Sequence, residues 1–374
     1  MSNRMARNKT ILEGKEKARK SFITLFSLPI LLSVIGLFFV FEASYIRSFG
    51  EFRDSFHYFK IQAVWIFLGI IIMSILSFID YHKLYYGAFF LMLINIFFLF
   101  LVLIPGLGHQ VNGARRWLEI GFIRFQPTEM AKLSAIVYLA SWFITKERKR
   151  FYSFLILLGL LMFLIILQPD MGTAIIIFSL SIIIYYLAGI ELHYLLLLIP
   201  FSLGSFYVLA KTSPYRMKRL LAFFDPTVDP LGITYHINQI LISLSNGGLL
   251  GQGFGSSKQK HLFLPEAHTD SIFAIIGEEV GFLGSFILIS IFLLLILYIF
   301  RIAEKAPDRF GRLLGGGIFA FFAVQTIINL ASMVHVIPLT GVPLPFISYG
   351  GSNLLLSFSL MGIILSIARS VKIM

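Results

Sequence analysis

Apolar residues occur along this chain in long runs that short polar segments interrupt. A helix that crosses a bilayer needs about 20 largely apolar residues, and ten runs come close to that length. The pattern therefore predicts an all-α integral membrane protein with about ten transmembrane helices, in which 1–374 form a single polytopic domain. The predicted helices are 22–43, 58–79, 84–104, 127–145, 151–168, 172–189, 192–210, 271–300, 313–335 and 347–368.

The composition agrees with a membrane protein. Hydrophobic residues make up 57% of the 374 residues and charged residues only 13%, whereas soluble domains are about 45–50% apolar and about 25% charged. The absence of cysteine excludes disulfides, thiol nucleophiles and cysteine metal sites. The net charge of +12 would suggest a nucleic-acid partner for a soluble protein. In a membrane protein, basic residues report topology and anionic lipid instead, so no nucleic acid is expected.

The distribution of lysine and arginine predicts the orientation. Basic clusters occupy the tail 1–21, the loops 146–150 and 301–312, and the C-terminal end. With ten helices these clusters all fall on one side, which the positive-inside rule identifies as cytoplasmic, so both termini are expected in the cytoplasm. The N-terminal tail enters the first apolar run without a small-residue cleavage site, which predicts a retained helix rather than a removed signal peptide.

Two loops on the opposite, outer side are also basic. They are 105–126 and the long loop 211–270 between the seventh and eighth predicted helices. Long loops cross a membrane largely regardless of charge, so one interpretation is a solvated basic loop. The alternative is that the outer face binds an anionic molecule at the membrane surface.

The first polar cluster flanks the fourth predicted helix. Arg116 has a planar fork that suits a phosphate, and Trp117 has a flat surface that suits a sugar or the membrane interface. Glu129 and Lys132 lie three residues apart, on one helix face about one turn into the membrane. They are either a self-neutralising pair or groups that face a polar cavity, where ionisable residues within a span are usually found.

A short break, QPDMGTA at 168–174, separates the fifth and sixth predicted helices. Proline and glycine predict a tight turn there, on the outer face. Asp170 is predicted mainly as the cap of the following helix.

The segment 247–270 combines five glycines with charged and polar side chains. Glycines allow close backbone approach and exposed N–H groups that cradle anions, although a glycine-rich run alone is a weak signal. The side chains that strengthen it are Lys258, Lys260, Glu266, His268 and Asp270. Asp270 stands at the mouth of an apolar run, so it is either a catalytic base that faces an anionic lipid or the N-cap of the helix that follows. Glu278 and Glu279, two turns deeper, are expected to make structural hydrogen bonds.

A proline- and glycine-rich stretch, VPLPFISYGGS at 342–352, precedes the last apolar run. Such a stretch cannot form a regular helix, and irregular backbone at membrane depth is buried in protein or lines a wet cavity. Ser348 is therefore a candidate substrate contact, although no base near it in sequence would make it a nucleophile. No residue pattern with metal-ligand spacing appears, so a dedicated metal site is not predicted.

These stretches together resemble the SEDS family of bacterial cell-shape and division proteins. The matching segments occur in family order along most of the chain; they are NGARRW at 112–117, QPTEMAK at 126–132, QPDMGTA at 168–174, GGLLGQGFGSSKQKHLFLPEAHTD at 247–270, GEEVGFLG at 277–284 and PLPFISYGGS at 343–352. VNGARRW and SSKQKHLFLPEAHTD are more similar to the division branch, FtsW, than to the elongation branch, RodA.

The resemblance implies a ten-helix protein of the bacterial cytoplasmic membrane with peptidoglycan glycosyltransferase activity on lipid II. It implies that Asp270 is essential, that Trp117 takes part, and that Arg116, Glu129 and Lys132 line a polar cavity. It also implies a class B penicillin-binding protein as the obligate partner, together with other proteins of the division machinery. No cofactor is evident, and a divalent cation at the pyrophosphate remains compatible with the sequence.

The mechanistic hypothesis follows from these residues. Asp270 accepts the proton of the attacking hydroxyl, and one-step displacement on an α-linked donor gives a β-linked glycan by inversion. Arg116, Lys258, Lys260 and the glycine-rich backbone are expected to hold the leaving pyrophosphate.

Other functions stay open on the sequence alone. A lipid II flippase would use the intramembrane Glu129, Lys132 and Glu279 to carry the headgroup across the bilayer. A RodA-type elongation polymerase and a non-catalytic scaffold for division proteins are further alternatives.

Overall fold

A computed structural model of the protein describes residues 2–111, 114–120, 123–145, 150–189, 214–225 and 232–371, together with 204 and 211. Within these residues the chain is mainly helical. The helices are α1 (Ser2–Phe52), α2 (His57–Phe78), α3 (His82–Leu101), α4 (Pro127–Trp142), α5 (Phe151–Leu167), α6 (Met171–Leu187), α7 (Pro214–Phe224), α8 (Ile233–Gly247), α9 (Ile272–Glu304), α10 (Arg309–Met333) and α11 (Gly351–Ser370).

The helices confirm an all-α, multi-pass membrane fold. In the described part of the chain, six helical segments are long and apolar enough to cross a membrane; they are Ser21–Phe52, α2, α3, α9, α10 and α11. The shorter apolar helices α5 and α6 coincide with two further predicted spans. The seventh predicted span, 192–210, lies outside the described residues except for position 204, so the number ten stays a prediction.

The loop between α3 and α4 contains a small antiparallel sheet that the sequence pattern did not predict. Its strands are β1 (Gly108–Val111), β2 (Ala114–Ile120) and β3 (Ile123–Phe125), in the order β1-β2-β3. Strands this short, in a polar loop, do not show the long alternation that identifies a half-buried strand. The sheet matters because β2 carries Arg116 and Trp117.

The long loop 211–270 is also more ordered than predicted, since it contains α7 and α8. Helix α8 packs along the first part of α9, where Ser243 Oγ donates to the carbonyl of Ala274 at 2.9 Å.

Helix α9 consists of two parts that meet at Gly281. The φ and ψ angles of Gly281, 67° and −167°, are not helical. Residues 271–279 before the break are buried, whereas Phe282, Phe286 and Leu293 beyond it are exposed on the outside of the bundle. The second part therefore has the one-sided burial of a helix that faces lipid, and the first part is surrounded by protein.

The glycine-rich segment closes the break in α9. Backbone N–H groups of Gln252 and Gly253 donate to the carbonyls of residues 278 and 279 at 2.9 and 3.0 Å. In return, the N–H groups of Phe282 and Leu283 donate to the carbonyls of residues 248 and 249 at 2.9 and 3.1 Å. These bonds satisfy the backbone groups that the broken helix leaves unpaired.

The prediction that these glycines cradle an anion is therefore wrong. Their N–H groups are used within the protein: Gly251 donates to the carbonyl of Gly247 at 2.8 Å, and Gly255 donates to the Glu279 carboxylate. Small residues are required there because a Cβ on Gly251 would come within 2.1 Å of the carbonyl oxygen of Glu279. The glycines serve close backbone packing rather than ligand binding.

Candidate active site

A cavity of about 530 Å³ opens between α6, α7, α10 and the segment 337–341. Its wall is mainly apolar and is formed by side chains such as Ile175, Val324 and Ile328. The charged side chains that line it are Arg116, Asp170 and Arg219. Apolar walls together with a few charged groups suit an amphipathic molecule with an anionic headgroup.

Two guanidinium groups line this cavity from different elements. Arg116 Nε donates to the carbonyl of Gln168 at 3.0 Å, and its Nη2 donates to the carbonyl of Pro169. Arg219, on α7, donates from Nη1 to the carbonyl of Leu339 at 3.3 Å. The sequence analysis did not single out Arg219, because it is only one of several charged residues in its loop. Its position in the short amphipathic segment 214–224 was the one feature that could have identified it.

Asp170 caps α6, as predicted. Its Oδ1 accepts from the backbone N–H of Thr173 at 3.1 Å, and its Oδ2 accepts from the Thr173 hydroxyl at 2.9 Å. The Thr128 hydroxyl also lies 3.3 Å from Oδ2, which joins the start of α4 to the start of α6. The carboxylate thus fixes the start of α6, which forms part of the cavity wall, against the start of α4.

Asp270 does not cap α9, so the N-cap alternative is wrong. The N-cap position belongs to Ser271, and no side chain there bonds to the helix. The Asp270 Oδ1 instead lies 3.1 Å from the Thr269 hydroxyl. The main-chain carbonyl of Asp270 accepts from Asn329 Nδ2 of α10 at 2.9 Å, which fixes the turn before α9 against the bundle.

The Asp270 carboxylate lies beside the cavity rim. A Cβ on Gly341, which lines the cavity, would be 3.7 Å from Asp270 Oδ2. Burial raises the pKa of the Asp270 carboxyl, against the opposing effects of the Thr269 hydroxyl and the positive charge of Arg219. A desolvated carboxylate with a raised pKa is a stronger base, as proton removal from a hydroxyl requires.

Glu266 and His268 shape the turn that leads to Asp270. His268 is buried between Tyr58 and Tyr349, whose ring centroids lie 4.7 and 5.5 Å away. Burial, helped by the charge of Arg47, lowers the pKa of His268 to about 4, so the ring is neutral near pH 7. The Glu266 carboxylate lies 3.0 Å from the Thr269 hydroxyl. Substrate contact by either residue stays a prediction.

The two lysines of the same segment differ in environment. Lys258 is exposed, whereas the Lys260 side chain is only 1% exposed and lies between two carboxylates. Its Nζ is 2.8 Å from Glu42 Oε2 and 3.1 Å from Glu279 Oε1. Burial would lower the pKa of Lys260, but the hydrogen bonds to these carboxylates outweigh it and raise the pKa. The Lys260 charge is therefore already balanced within the protein, which leaves Lys258 as the more available cation.

This triad gives a stability prediction. Lys260→Met keeps much of the side-chain volume but leaves Glu42 and Glu279 without their cation. Removing one partner of a buried ion pair costs about 3–5 kcal/mol, so the variant should melt at a clearly lower temperature in detergent. The double variant Lys260→Met/Glu279→Gln also removes the negative charge of Glu279, so it should recover part of the lost melting temperature. An unchanged melting temperature for the single variant contradicts the triad.

Glu279 has the structural role that the sequence predicted, and so does Glu278. Glu278 Oε2 accepts from the hydroxyls of Ser243 at 3.2 Å and Ser257 at 2.5 Å. Glu278 thereby ties α8 and the segment after the glycines to α9, while Glu279 anchors Lys260.

Glu129 and Lys132 form a buried ion pair of 2.7 Å in α4. Lys132 Nζ also lies 3.2 Å from Gln325 Oε1, and Gln325 Nε2 donates to Asn353 Oδ1 at 2.9 Å. These groups connect α4, α10 and α11 inside the bundle. The pairing on one helix face is confirmed, and the network places both charges among protein groups rather than in the cavity wall described above.

Trp117 and Ser348 complete the predicted set. Trp117 is half-buried in β2 and pairs across the sheet with His109. Ser348 is fully buried, and its Oγ accepts from the backbone N–H of Leu344 at 2.8 Å, so it folds the loop before α11. Contact with a substrate stays a prediction for both.

The structure thus brings two predicted site residues, Asp270 and Arg116, to the same cavity region. It also places three residues there that were not predicted, namely Arg219, Asn329 and Gly341. Among the residues that the structure describes, no group of three or more His, Asp and Glu side chains is arranged to hold a metal ion. The participation of a divalent cation stays a prediction.

Comparison with known proteins gives one consistent result. The cell cycle protein family that groups FtsW, RodA and SpoVE matches residues 22–373. A probable peptidoglycan glycosyltransferase FtsW of Coxiella burnetii is 39% identical, over 91% of this chain and 94% of the relative. Stage V sporulation protein E of Bacillus subtilis is 38% identical, over 91% and 95%.

Solved structures agree with this result. A chain from a peptidoglycan synthase complex superimposes with a TM-score of 0.76 and 28% identity, over 92% of this chain and 96% of that one. The similarity extends over nearly the whole length in sequence and in fold. The chain is a member of the FtsW/RodA/SpoVE family of cell cycle proteins.

Proposed function

We propose that this protein is an inverting peptidoglycan glycosyltransferase that polymerises lipid II into glycan strands and releases undecaprenyl pyrophosphate. The observation that carries the proposal is the desolvated Asp270 carboxylate at the rim of a cavity with apolar walls and two guanidinium groups. A lipid-linked sugar pyrophosphate has the matching parts, since its chain is apolar, its pyrophosphate is anionic and its sugar carries the attacking hydroxyl. The name of the Coxiella relative supports the same activity.

Asp270 is the general base in this proposal. An alcohol is a poor nucleophile, and a positioned base accelerates its attack by about 10²–10⁴-fold. The acceptor hydroxyl gives its proton to the carboxylate as its oxygen bonds to the donor's anomeric carbon. The bond from that carbon to the pyrophosphate breaks on the opposite face. An α-linked donor thus gives a β-linked product.

Arg116 and Arg219 neutralise the leaving pyrophosphate. Planar guanidinium groups match the geometry of phosphate oxygens, and fixed positive charge favours the charge that develops on the leaving group. The exposed Lys258 is able to add to this charge from the outer surface. No second carboxylate is needed as an acid, because pyrophosphate leaves without protonation once its charge is balanced.

Partner and location follow from the same proposal. The protein spans the bacterial cytoplasmic membrane with both termini in the cytoplasm, so that the cavity opens on the outer side. A class B penicillin-binding protein is the obligate partner, in line with the structural neighbour, which belongs to a peptidoglycan synthase complex that coordinates polymerization and crosslinking. The FtsW name of the Coxiella relative supports a role in cell division, with other division proteins, over RodA-type elongation.

A lipid II flippase is the competing function. It would use charged groups along a path through the bilayer, but Glu129 and Lys132 pair with each other and Glu279 pairs with Lys260. These groups are engaged inside the bundle, which favours the polymerase. A non-catalytic scaffold would not explain a desolvated carboxylate at the cavity rim.

The two functions differ in what they need. The purified protein with its penicillin-binding partner should convert lipid II to glycan strands in detergent, where no second compartment exists. A flippase would make no glycan there and would instead move labelled lipid II across sealed liposomes. Transport without glycan formation contradicts the proposal.

A further inference from the structure

Residues 339–341 line the cavity, with Gly341 beside Asp270, and the backbone of the four-residue segment 339–342 is held from three sides. The carbonyl of its first residue accepts from Arg219 Nη1 at 3.3 Å, and that of its last from Asn329 Nδ2 at 2.8 Å. The carbonyl of its second residue lies so close to Gly172 that a Cβ there would come within 2.7 Å of it. Helices α6, α7 and α10 therefore fix this backbone.

The side chain of Thr340 is not fixed in the same way. Thr340 lines the cavity and is half-buried, and its Oγ1 is buried without a hydrogen-bond partner among the described residues. A buried hydroxyl without a partner destabilises the folded state, whereas valine has almost the same shape and no such group. A threonine at this position thus carries a hydroxyl that the folded protein itself does not use.

The hydroxyl can turn toward the cavity. Because it has no hydrogen bond to lose, rotation about χ1 to another staggered position exchanges the hydroxyl with the methyl group of the side chain. The next residue, Gly341, has a φ of +70° and leaves open the space beside Asp270 Oδ2. A hydroxyl at this rim and the carboxylate can therefore face the same incoming group.

We propose that Thr340 binds the acceptor sugar of the lipid-linked substrate. Its Oγ1 hydrogen-bonds a sugar hydroxyl or amide beside Asp270 and so orients the attacking hydroxyl toward the base. In the proposed function the positively charged Arg116 and Arg219 bind the phosphates in this cavity. The uncharged hydroxyl of Thr340 is therefore assigned to the uncharged sugar. This assignment rests on the proposed polymerase function.

Thr340→Val and Thr340→Ser form a matched pair, since valine keeps the shape and serine keeps the hydroxyl. Initial polymerisation rates are measured over a range of lipid II concentrations for the full chain with its partner. One hydrogen bond between neutral groups corresponds to roughly a 3- to 10-fold effect. We expect kcat/KM to fall by about that factor in the valine variant and to stay within about twofold of wild type in the serine variant. Inhibition by undecaprenyl pyrophosphate, which has no sugar, should be unchanged in both.

Three results overturn the assignment. They are a valine variant with the wild-type kcat/KM, an equal loss in both variants, and a valine variant that undecaprenyl pyrophosphate inhibits less strongly, which would place the hydroxyl at the phosphates. A wild-type protein that makes no glycan refutes the proposed function itself, and the assignment with it.

Discussion

Asp270→Asn is expected to reduce the rate of glycan polymerisation by about 10²–10⁴-fold, the range that a general base contributes. Asparagine keeps the size of the side chain and can still accept a hydrogen bond from Thr269, whose hydroxyl lies 3.1 Å from Asp270 Oδ1. The contact of Asn329 is to the main-chain carbonyl and is unaffected. The variant therefore loses basicity with little change in structure, and the initial release of undecaprenyl pyrophosphate measures the loss.

Asp54→Asn provides the matched control. Asp54 lies in the exposed turn between α1 and α2 and pairs with Lys60 at 2.9 Å. Solvent screens exposed ion pairs, so the same chemical change there should leave both the rate and the melting temperature near wild type. A folded Asp270→Asn protein that polymerises lipid II at close to the wild-type rate refutes the assignment of the base.

Gly281→Ala is expected to destabilise the folded protein strongly, through close packing and backbone strain together. A Cβ at this position would lie 2.2 Å from the backbone nitrogen of Gly251, and the φ of +67° strains any residue with a side chain. Overpacking costs about 1–3 kcal/mol, and a backbone conformation that essentially only glycine adopts costs about 1–3 kcal/mol more. We expect the melting temperature in detergent to fall by roughly 5–10 °C, because the glycine-rich segment must separate from the break in α9.

Gly253→Ala separates the two contributions. Gly253 also has a positive φ, +95°, but the nearest atom to its added Cβ is Ser256 Oγ at 3.7 Å. This variant should show the backbone strain without the collision and lose roughly half as much stability or less. Equal melting temperatures for both variants would show that close packing at Gly281 does not hold the segment in place.

Much of the fold could be predicted because lipid imposes a simple pattern. Spans such as 58–79 and 151–168 agree with α2 and α5 to within a residue or two at either end, since a helix in a bilayer must be apolar along its length. The last span begins at Gly351 rather than at 347, because the proline- and glycine-rich loop continues to Gly350. The break in α9 was not predicted, since the helix contains three glycines, at 277, 281 and 284, and the sequence does not distinguish the one at the break.

Site residues could be predicted where a charged side chain stands in or beside an apolar segment. A carboxylate at the mouth of an apolar run is costly, so Asp270 was identifiable from sequence, and Arg116 followed from its place in a basic outer loop. Asn329 and Thr340 lie in segments of ordinary composition. Only the folded structure shows that Asn329 bonds to the main chain of Asp270 and that Thr340 lines the cavity. The ion pair of Lys260 could not be predicted, because its partner Glu42 is 218 positions away along the chain.

The glycine-rich segment shows why a local pattern can mislead. Glycines permit close approach of either a ligand or another backbone, and the sequence does not say which. Here the partner is another backbone, since the N–H groups of Gln252 and Gly253 donate to the carbonyls of Glu278 and Glu279. Those carbonyls are free to accept only because the helix breaks at Gly281.

The pH dependence of the polymerisation rate tests the role of Asp270 most directly. The base acts when it is deprotonated, and burial raises its pKa above the ordinary aspartate value of about 3.9. The wild-type initial rate should therefore rise with pH through an apparent pKa above that value, and the small residual rate of Asp270→Asn should lack this rise. An identical rise in both proteins, or a wild-type rate that does not depend on pH in this range, would contradict the account.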